Sequence, residues 1–287
     1  AILLSVLIVF SAVSVAIAAP SVQASTQSMT YTKTAPSVDG DKEDAYSAAT
    51  PILIDQGIAE GYVTGDDYAT ATAYALFDSE YMYVLVEVND PTPKYNEKNE
   101  TILRDVEGVN FYIDLLNTAE TDYLPNTREP VAGEQGRIQT NFIAKRSGDA
   151  YYTGGSGNLN SYVMTDGRAF TGEFTAALKQ TSVGYNVELK VKMSSSLKQK
   201  VATVKNPTIG LGIQLNDDKD DSYAGDNSGR DGVLVNDMGV HGEWYTWEDA
   251  VQGSKGFPDV TFQNTAPVTI GTVTGGTISV ADTEGII

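Results

Sequence analysis

Cysteine is absent from this 287-residue chain, and histidine occurs once, at His241. The lack of cysteine excludes a disulfide framework and thiol chemistry. One histidine without cysteine argues against a catalytic zinc site and against a Ser-His-Asp triad. Tryptophan is also scarce, with 2 residues against 16 tyrosines. This composition, rich in tyrosine, glycine and threonine, is typical of a β protein with exposed polar faces.

Positive charge is equally scarce. The chain has 19 lysines and arginines against 38 acidic residues, which gives a net charge of -19. Binding of phosphate groups needs clustered basic side chains, so this balance argues against a nucleic acid or an anionic membrane as a partner. A glycosidase needs two carboxylates placed across a cleft, and nothing in the sequence marks out such a pair among so many. We therefore predict a domain without catalytic residues, although the full-length protein is left open as an enzyme.

The two ends of the chain differ in composition from its middle. Residues 1–25 join a long apolar run to small residues, which favours a secretory signal peptide that is incomplete at its start; a membrane anchor is the alternative. Residues 264–287 are rich in Thr, Gly and Val, and indicate a linker or the start of a following β module in a longer protein. The middle, residues 29–263, is predicted to be one β domain. We therefore expect a secreted protein with covalently linked neighbouring modules and no membrane contact after signal removal.

A strand at residues 81–88 organises the middle of the chain. It places Met82, Val84, Val86 and Val88 on one purely apolar face, as alternation in a strand requires. The other strong strands are interpreted as its partners in an all-β, antiparallel β-sandwich. Those strands are predicted at residues 30–33, 69–77, 109–115, 137–144, 168–177, 184–193, 209–215, 233–237, 244–247 and 260–262, with a short helix at residues 194–200.

The faces opposite the core positions carry an unusual polar set. If the strands share one sheet, a floor of amides and one guanidinium faces outward over a hollow lined by glycine. Such a floor suits sugar hydroxyls, which need paired donors and acceptors. The alternative is an ordinary solvated sheet face. The residues of this floor are Gly210, Gly212, Gln214, Arg137, Gln139, Asn141, Asn110 and Asp114.

Several ordered motifs resemble those of family 9 carbohydrate-binding modules over about residues 34–262. The resemblance implies a β-sandwich of the kind also found in DOMON-like domains, appended to secreted xylanases and related enzymes. The motifs are Val38-Asp39-Gly40 with Asp44-Ala45-Tyr46, Leu76-Phe77-Asp78 with Tyr81-Met82-Tyr83-Val84, Asn89-Asp90-Pro91, Glu107 to Asp114, Gly184-Tyr185-Asn186-Val187-Glu188, Ile213-Gln214-Leu215-Asn216-Asp217 and Trp247-Glu248-Asp249.

The resemblance also implies which residues contact sugar. Arg137 falls at the family's sugar-contacting Arg, Gln214 at its Gln, and Asn110 at its Glu. The two tryptophans that hold the sugar in this family are missing from the corresponding positions, near residues 103–104 and 235. Candidate substitutes are Tyr95, Trp244 or Tyr245, and Arg104, each with packing or surface exposure as its alternative role.

An acidic loop suggests a metal. Residues 216–226 concentrate carboxylate and amide oxygens, and calcium takes 6 to 8 oxygen ligands. We predict a structural calcium held by Asp217, Asp218, Asp220 and Asp221; a solvated acidic loop is the alternative.

The sequence therefore predicts a noncatalytic carbohydrate-binding module that targets a secreted protein to plant-type polysaccharide, at the ends of xylan or cellulose chains. Its partner would be a polysaccharide or oligosaccharide. One alternative is a structural or adhesive β-sandwich that has lost sugar binding, for which the C-terminal tail leaves self-association open. Another is a DOMON-like haem domain, which His241 would have to serve as its single histidine ligand.

Overall fold

The structure is a computed structural model that describes part of the chain. The described residues are 27–57, 69–93, 107–117, 131–142, 150–152, 161–163, 169–217, 232–236 and 257–263. They contain the strands β1 (Gln27–Tyr31), β2 (Ile52–Ile54), β3 (Gln56–Gly57), β4 (Thr70–Phe77), β5 (Tyr81–Asn89), β6 (Gly108–Asp114), β7 (Gln135–Phe142), β8 (Ala150–Tyr152), β9 (Ser161–Val163), β10 (Phe174–Gln180), β11 (Gly184–Lys192), β12 (Thr208–Asp217), β13 (Gly232–Val235) and β14 (Asp259–Gln263), with one helix, α1 (Ser195–Thr203), and a 3-10 turn at Asp44–Ala48.

Hydrogen bonds join the 14 strands into one sheet. The main path runs β10-β11-β5-β4-β1-β14-β12-β6-β7-β9-β8, and its two ends, β10 and β8, come back into contact. The sheet is therefore curled and nearly closed, like a barrel, and the all-β prediction is confirmed. The prediction of purely antiparallel pairing is wrong at β1, which runs parallel to both of its neighbours, β14 and β4.

Most predicted elements are present. The helix is confirmed: the Ser194 hydroxyl accepts a hydrogen bond from the Leu197 amide at 3.1 Å and so caps its start. The strand predicted at residues 168–177 is shifted, because β10 begins only at Phe174. The short strands β2, β3, β8 and β9 were not predicted, since runs of two or three residues carry too little alternation to detect. Residues 1–25, 244–247 and 264–287 lie outside the described part, and within that part no helix is long and apolar enough to cross a membrane.

One apolar core lies inside the curled sheet. The predicted core face of β5 is confirmed, since Met82, Val84, Val86 and Val88 are all buried in it. The core joins residues from both ends of the strand path, such as Val187 of β11 and Phe111 of β6. The outer face of β4 and β5 is partly covered as well: Leu76, Tyr83 and Leu85 pack against Tyr46 and Ala49 of the segment that includes the 3-10 turn.

A buried carboxylate holds that outer segment on the sheet. One oxygen of Glu188, Oε2, accepts hydrogen bonds from the Asp39 and Gly40 amides at 2.9 Å each, and Oε1 accepts one from the Tyr46 hydroxyl at 2.8 Å. Burial raises the pKa of the Glu188 carboxyl, although these donors oppose the shift. Gly40 has φ +81°, and a Cβ there would lie 2.6 Å from the Cβ of Lys179, so glycine is required. Two motifs far apart in sequence thus meet in a single hydrogen-bonded joint.

We expect the substitution Glu188→Ala to lower the free energy of unfolding by about 3 kcal/mol or more, because two buried donors and one partly buried donor lose their acceptor, at about 1–3 kcal/mol for each buried donor. Urea denaturation measures this change. The matched control is Glu87→Ala on the neighbouring strand, which removes a partly exposed ion pair to Lys42 and should cost less than about 1 kcal/mol. Equal losses in the two variants would show that Glu188 does not hold the segment in place.

Candidate functional site

The strands β12, β6 and β7 lie side by side and bring the predicted polar residues together. Antiparallel pairing aligns them in cross-strand rows on the face opposite the core. We name this set the polar face: Gln214, Asn110 and Gln139 in the first row, Gly212, Tyr112 and Arg137 in the second, Gly210, Asp114 and Gln135 in the third, and Asn216 next to Gln214 along β12.

The prediction that this face is open to solvent is wrong. Arg137 is 6% exposed, Gln214 7% and Asn110 2%. Phe257 lies on the face: a Cβ added at Gly210 would come within 3.0 Å of the Phe257 Cβ, and the rings of Phe257 and Tyr112 are 6.0 Å apart. Strand alternation predicts which residues share a face, but it does not predict what packs on that face.

Hydrogen bonds connect three members of the polar face in a chain. The Tyr112 hydroxyl donates to Gln214 Oε1 at 2.9 Å, and Gln214 Nε2 donates to Asn216 Oδ1 at 2.7 Å. Each end of the Gln214 amide therefore has a fixed partner, which sets the orientation of its oxygen and its nitrogen.

Among the amide side chains of the polar face that the structure describes, two carry a buried atom without a hydrogen-bond partner. These atoms are the oxygen Oδ1 of Asn110 and the nitrogen Nδ2 of Asn216, on side chains that are 2% and 0% exposed. A buried polar atom left unsatisfied costs about 1–3 kcal/mol, and native structures retain few of them. Hydroxyl groups, which both donate and accept, match this pair of one acceptor and one donor.

A second polar cluster lies near the same end of β12 and β6. One carboxylate oxygen from each of Asp90, Glu107 and Asp217 lies within 4.8 Å of the other two, and all three side chains are buried. The Tyr185 hydroxyl donates to Glu107 Oε1 at 2.6 Å, and burial together with the Glu107 charge raises the pKa of Tyr185 well above its usual value. Oxygens that share a calcium ion at about 2.3–2.6 Å lie at most about 5 Å apart, so the spacing fits this ion.

The remaining predicted site residues lie outside the described part of the chain. They are Tyr95, Arg104 and Trp244 of the sugar site, and Asp218, Asp220 and Asp221 of the calcium loop. Asp217 is described, but its neighbours in the acidic cluster are Asp90 and Glu107, which sequence reasoning did not select. Their only signal was the position of each acidic residue at the end of a strand, which does not show that the three ends meet.

The sequence profile described as "Carbohydrate family 9 binding domain-like" matches residues 38–266. The chain belongs to this family. Residues 38–266 of this family 9 module are thus a noncatalytic carbohydrate-binding domain, and the resemblance inferred from the motifs is confirmed.

Relatives of known function match the family 9 module over part of their length. Endo-1,4-beta-xylanase C of Paenibacillus barcinonensis is 28% identical over 183 residues, which are 64% of this chain and 13% of the xylanase. Exoglucanase XynX of Acetivibrio thermocellus is 24% identical over 184 residues, 64% of this chain and 12% of the exoglucanase. The family 9 module therefore corresponds to a small part of each of these enzymes.

Solved structures share its fold. A family 9 carbohydrate-binding module from Caldicellulosiruptor kristjanssonii, in complex with cellotriose, has a TM-score of 0.54 at 17% identity, and the match covers 88% of this chain and 100% of that one. The complex of a module from the same organism with glucose gives a TM-score of 0.52 at 15% identity, covering 85% and 100% of the two chains.

We expect Asn110→Leu to leave the free energy of unfolding unchanged or to raise it by up to about 3 kcal/mol, because it removes a buried acceptor that has no partner. Urea denaturation gives the value. Thr140→Val on β7 is the control: its hydroxyl donates to the Val109 carbonyl at 2.8 Å, so the loss should cost about 0.5–1.5 kcal/mol. Destabilisation of Asn110→Leu beyond the control would mean that the Asn110 oxygen is satisfied.

Proposed function

We propose that this module holds the end of a plant-type polysaccharide, xylan or cellulose, on the polar face, and so targets a longer secreted protein to that substrate. Arg137 and Gln214 would donate to sugar hydroxyls, and Asn110 would accept from one. Targeting works by raising the local concentration of an attached domain near the polysaccharide. The observation that carries the proposal is the meeting of Arg137, Gln214 and Asn110 on one face of three adjacent strands.

The relatives support this substrate class. Matched proteins include xylanases and an exoglucanase, and the solved family 9 modules are in complex with cellotriose and with glucose. The matched relatives are much longer than this chain, which supports further modules on the same protein. The small residues that follow the apolar run within residues 1–25 resemble a signal-peptide cleavage site and support secretion.

We also infer that the two halves of the curled sheet act as the two layers of a sandwich. The support is the single core, which both halves line from opposite sides: Val187 comes from one half and Phe111 from the other. A sandwich places the polar face on the outside of one layer.

A structural or adhesive role is the alternative function. It is favoured by the missing tryptophans and by the burial of the polar face, in which Arg137 is only 6% exposed to solvent. Against it stands the aromatic pair of Tyr112 and Phe257 beside Gln214 and Arg137, since rings next to polar groups are typical of sugar sites.

We expect the full chain to bind cellobiose or xylobiose, and Arg137→Ala and Gln214→Ala each to weaken binding at least about tenfold, the effect of a lost hydrogen bond of about 1.4 kcal/mol. Isothermal titration calorimetry against glucose, xylose, cellobiose and xylobiose measures it. Lys190→Ala and Gln180→Ala, on the far strands β11 and β10, are the matched controls and should bind like the wild type.

Two results would overturn this assignment. Absence of heat with every sugar, from wild-type protein shown to be folded, would favour the structural role. Wild-type affinity in both Arg137→Ala and Gln214→Ala would keep sugar binding but move it away from the polar face.

We propose in addition that Asp90, Glu107 and Asp217 hold a structural calcium ion. Three buried carboxylates within 4.8 Å supply hard oxygen ligands, and a divalent cation would neutralise their mutual repulsion. The ion would join the ends of β12 and β5 to the start of β6, close to Asn216 of the polar face.

Calcium at a hundredfold excess over its Kd should stabilise the protein by about 2.7 kcal/mol, which raises the midpoint of thermal unfolding by about 5–10 °C. Scanning calorimetry with calcium and with a chelator measures the shift. Asp90→Asn keeps Oδ1, which accepts from the Thr92 amide, and should lose the calcium effect; Asp55→Asn, at an exposed position, should keep it. An unchanged midpoint in the wild type would exclude the site.

A further inference from the structure

A buried chain of hydrogen bonds runs from Tyr112 through Gln214 to Asn216. An amide oxygen has two lone pairs, and an amide nitrogen carries two hydrogens. Tyr112 uses one lone pair of the Gln214 oxygen, and Asn216 uses one hydrogen of its nitrogen. One acceptor position and one donor position of Gln214 remain, and the two bonds fix which end of the side chain offers which.

The two unsatisfied atoms stand next to this oriented amide. Asn110 lies directly across from Gln214 in the pairing of β6 with β12, and Asn216 follows Gln214 by two residues on the same face. Diagonal neighbours of this kind are about 7 Å apart, a span that one sugar residue with its hydroxyls can bridge. The free atom of Asn110 is an acceptor and that of Asn216 is a donor, so a single ligand must offer both kinds of group.

We propose that Asn216 contacts the ligand directly and that Tyr112 is a positioning residue, which acts by orienting Gln214. This inference rests on the proposed function of the polar face. A neutral sugar would donate one hydroxyl to Asn110 Oδ1 and accept with another from Asn216 Nδ2, while Gln214, held by Tyr112, presents its remaining N–H. A neutral ligand fits because a carboxylate could not donate to the free oxygen of Asn110.

The pattern of satisfied and unsatisfied hydrogen-bonding groups supports a role in binding over a role in folding alone. A network that only stabilised the fold would be expected to satisfy its own members, as Glu188 does on β11, in the other half of the strand path. Here Tyr112, Gln214 and Asn216 are joined by hydrogen bonds, but the last residue, Asn216, has a side-chain nitrogen, Nδ2, without a partner. The unsatisfied end is the part that a ligand would complete.

Tyr112→Phe tests the positioning role, because it removes only the hydroxyl and keeps the ring beside Phe257. We expect affinity for cellobiose or xylobiose to fall about 5- to 20-fold in calorimetry. The side-chain amide signals of Gln214 in nuclear magnetic resonance should shift and exchange faster with solvent. The control is Tyr83→Phe, whose hydroxyl donates to Asp78 Oδ2 at 2.7 Å on the outer face near the 3-10 turn; it loses an equivalent bond and should keep wild-type affinity.

Asn216→Asp tests the contact itself. The aspartate keeps the oxygen that accepts from Gln214 Nε2 and replaces the free N–H by a second oxygen. Affinity should fall at least as far as in Tyr112→Phe, while the Gln214 amide signals stay in place. Asn89→Asp at the exposed end of β5 adds the same charge and serves as the control.

The outcomes separate this inference from the proposed function. If the wild type binds sugar and either Tyr112→Phe or Asn216→Asp binds it with the same affinity, the inference is overturned and the proposed function stays intact. Gln214 amide signals that Tyr112→Phe does not affect would overturn the positioning role even if affinity falls. A wild type that binds none of the sugars would overturn the proposed function and the inference together.

Discussion

The antiparallel register between β12 and β6 is the constraint on which the rest of this structure depends. Seven pairs, from Gly210 with Asp114 to Asn216 with Gly108, decide which side chains of both strands enter the core and which enter the polar face. A slip of one residue would exchange the two faces, because side chains alternate with a period of two. The same register carries Asn216 to the polar face and its neighbour Asp217 to the acidic cluster, so two sites depend on one strand end.

Two buried polar networks on this sheet differ in how completely they satisfy themselves. Glu188 accepts three hydrogen bonds and holds the segment of the 3-10 turn against the outer face, so it acts as a structural joint. The chain through Gln214 is closed internally, yet it leaves Asn216 Nδ2 unpaired and stands beside the unpaired Asn110 Oδ1. The unsatisfied atoms lower stability at the network through Gln214 and not at that of Glu188. This distribution is expected when the Glu188 network maintains the fold and the Gln214 network binds a ligand.

Apart from Asp114, the polar side chains of this module's polar face are neutral amides, one phenol and one guanidinium. The motif resemblance implies a carboxylate where this chain has Asn110, so one strong charged acceptor is replaced by a neutral one. Neutral acceptors pair well with the hydroxyls of an uncharged polysaccharide and give less to a cationic ligand. At the proposed site, the missing tryptophans would shift sugar recognition further toward hydrogen bonds, since less apolar area is available to pack against a sugar ring.

The sequence by itself determined the all-β class, the family and most of the polar face, because strand alternation and ordered motifs are local properties. It correctly placed Arg137, Gln214 and Asn110 on shared faces before any pairing was known. Only the tertiary structure decided that this face is buried, that β1 runs parallel to its neighbours, and that Asp90, Glu107 and Asp217 converge. Those features depend on contacts between segments far apart in the chain, and a local pattern carries no information about which distant segment packs on it.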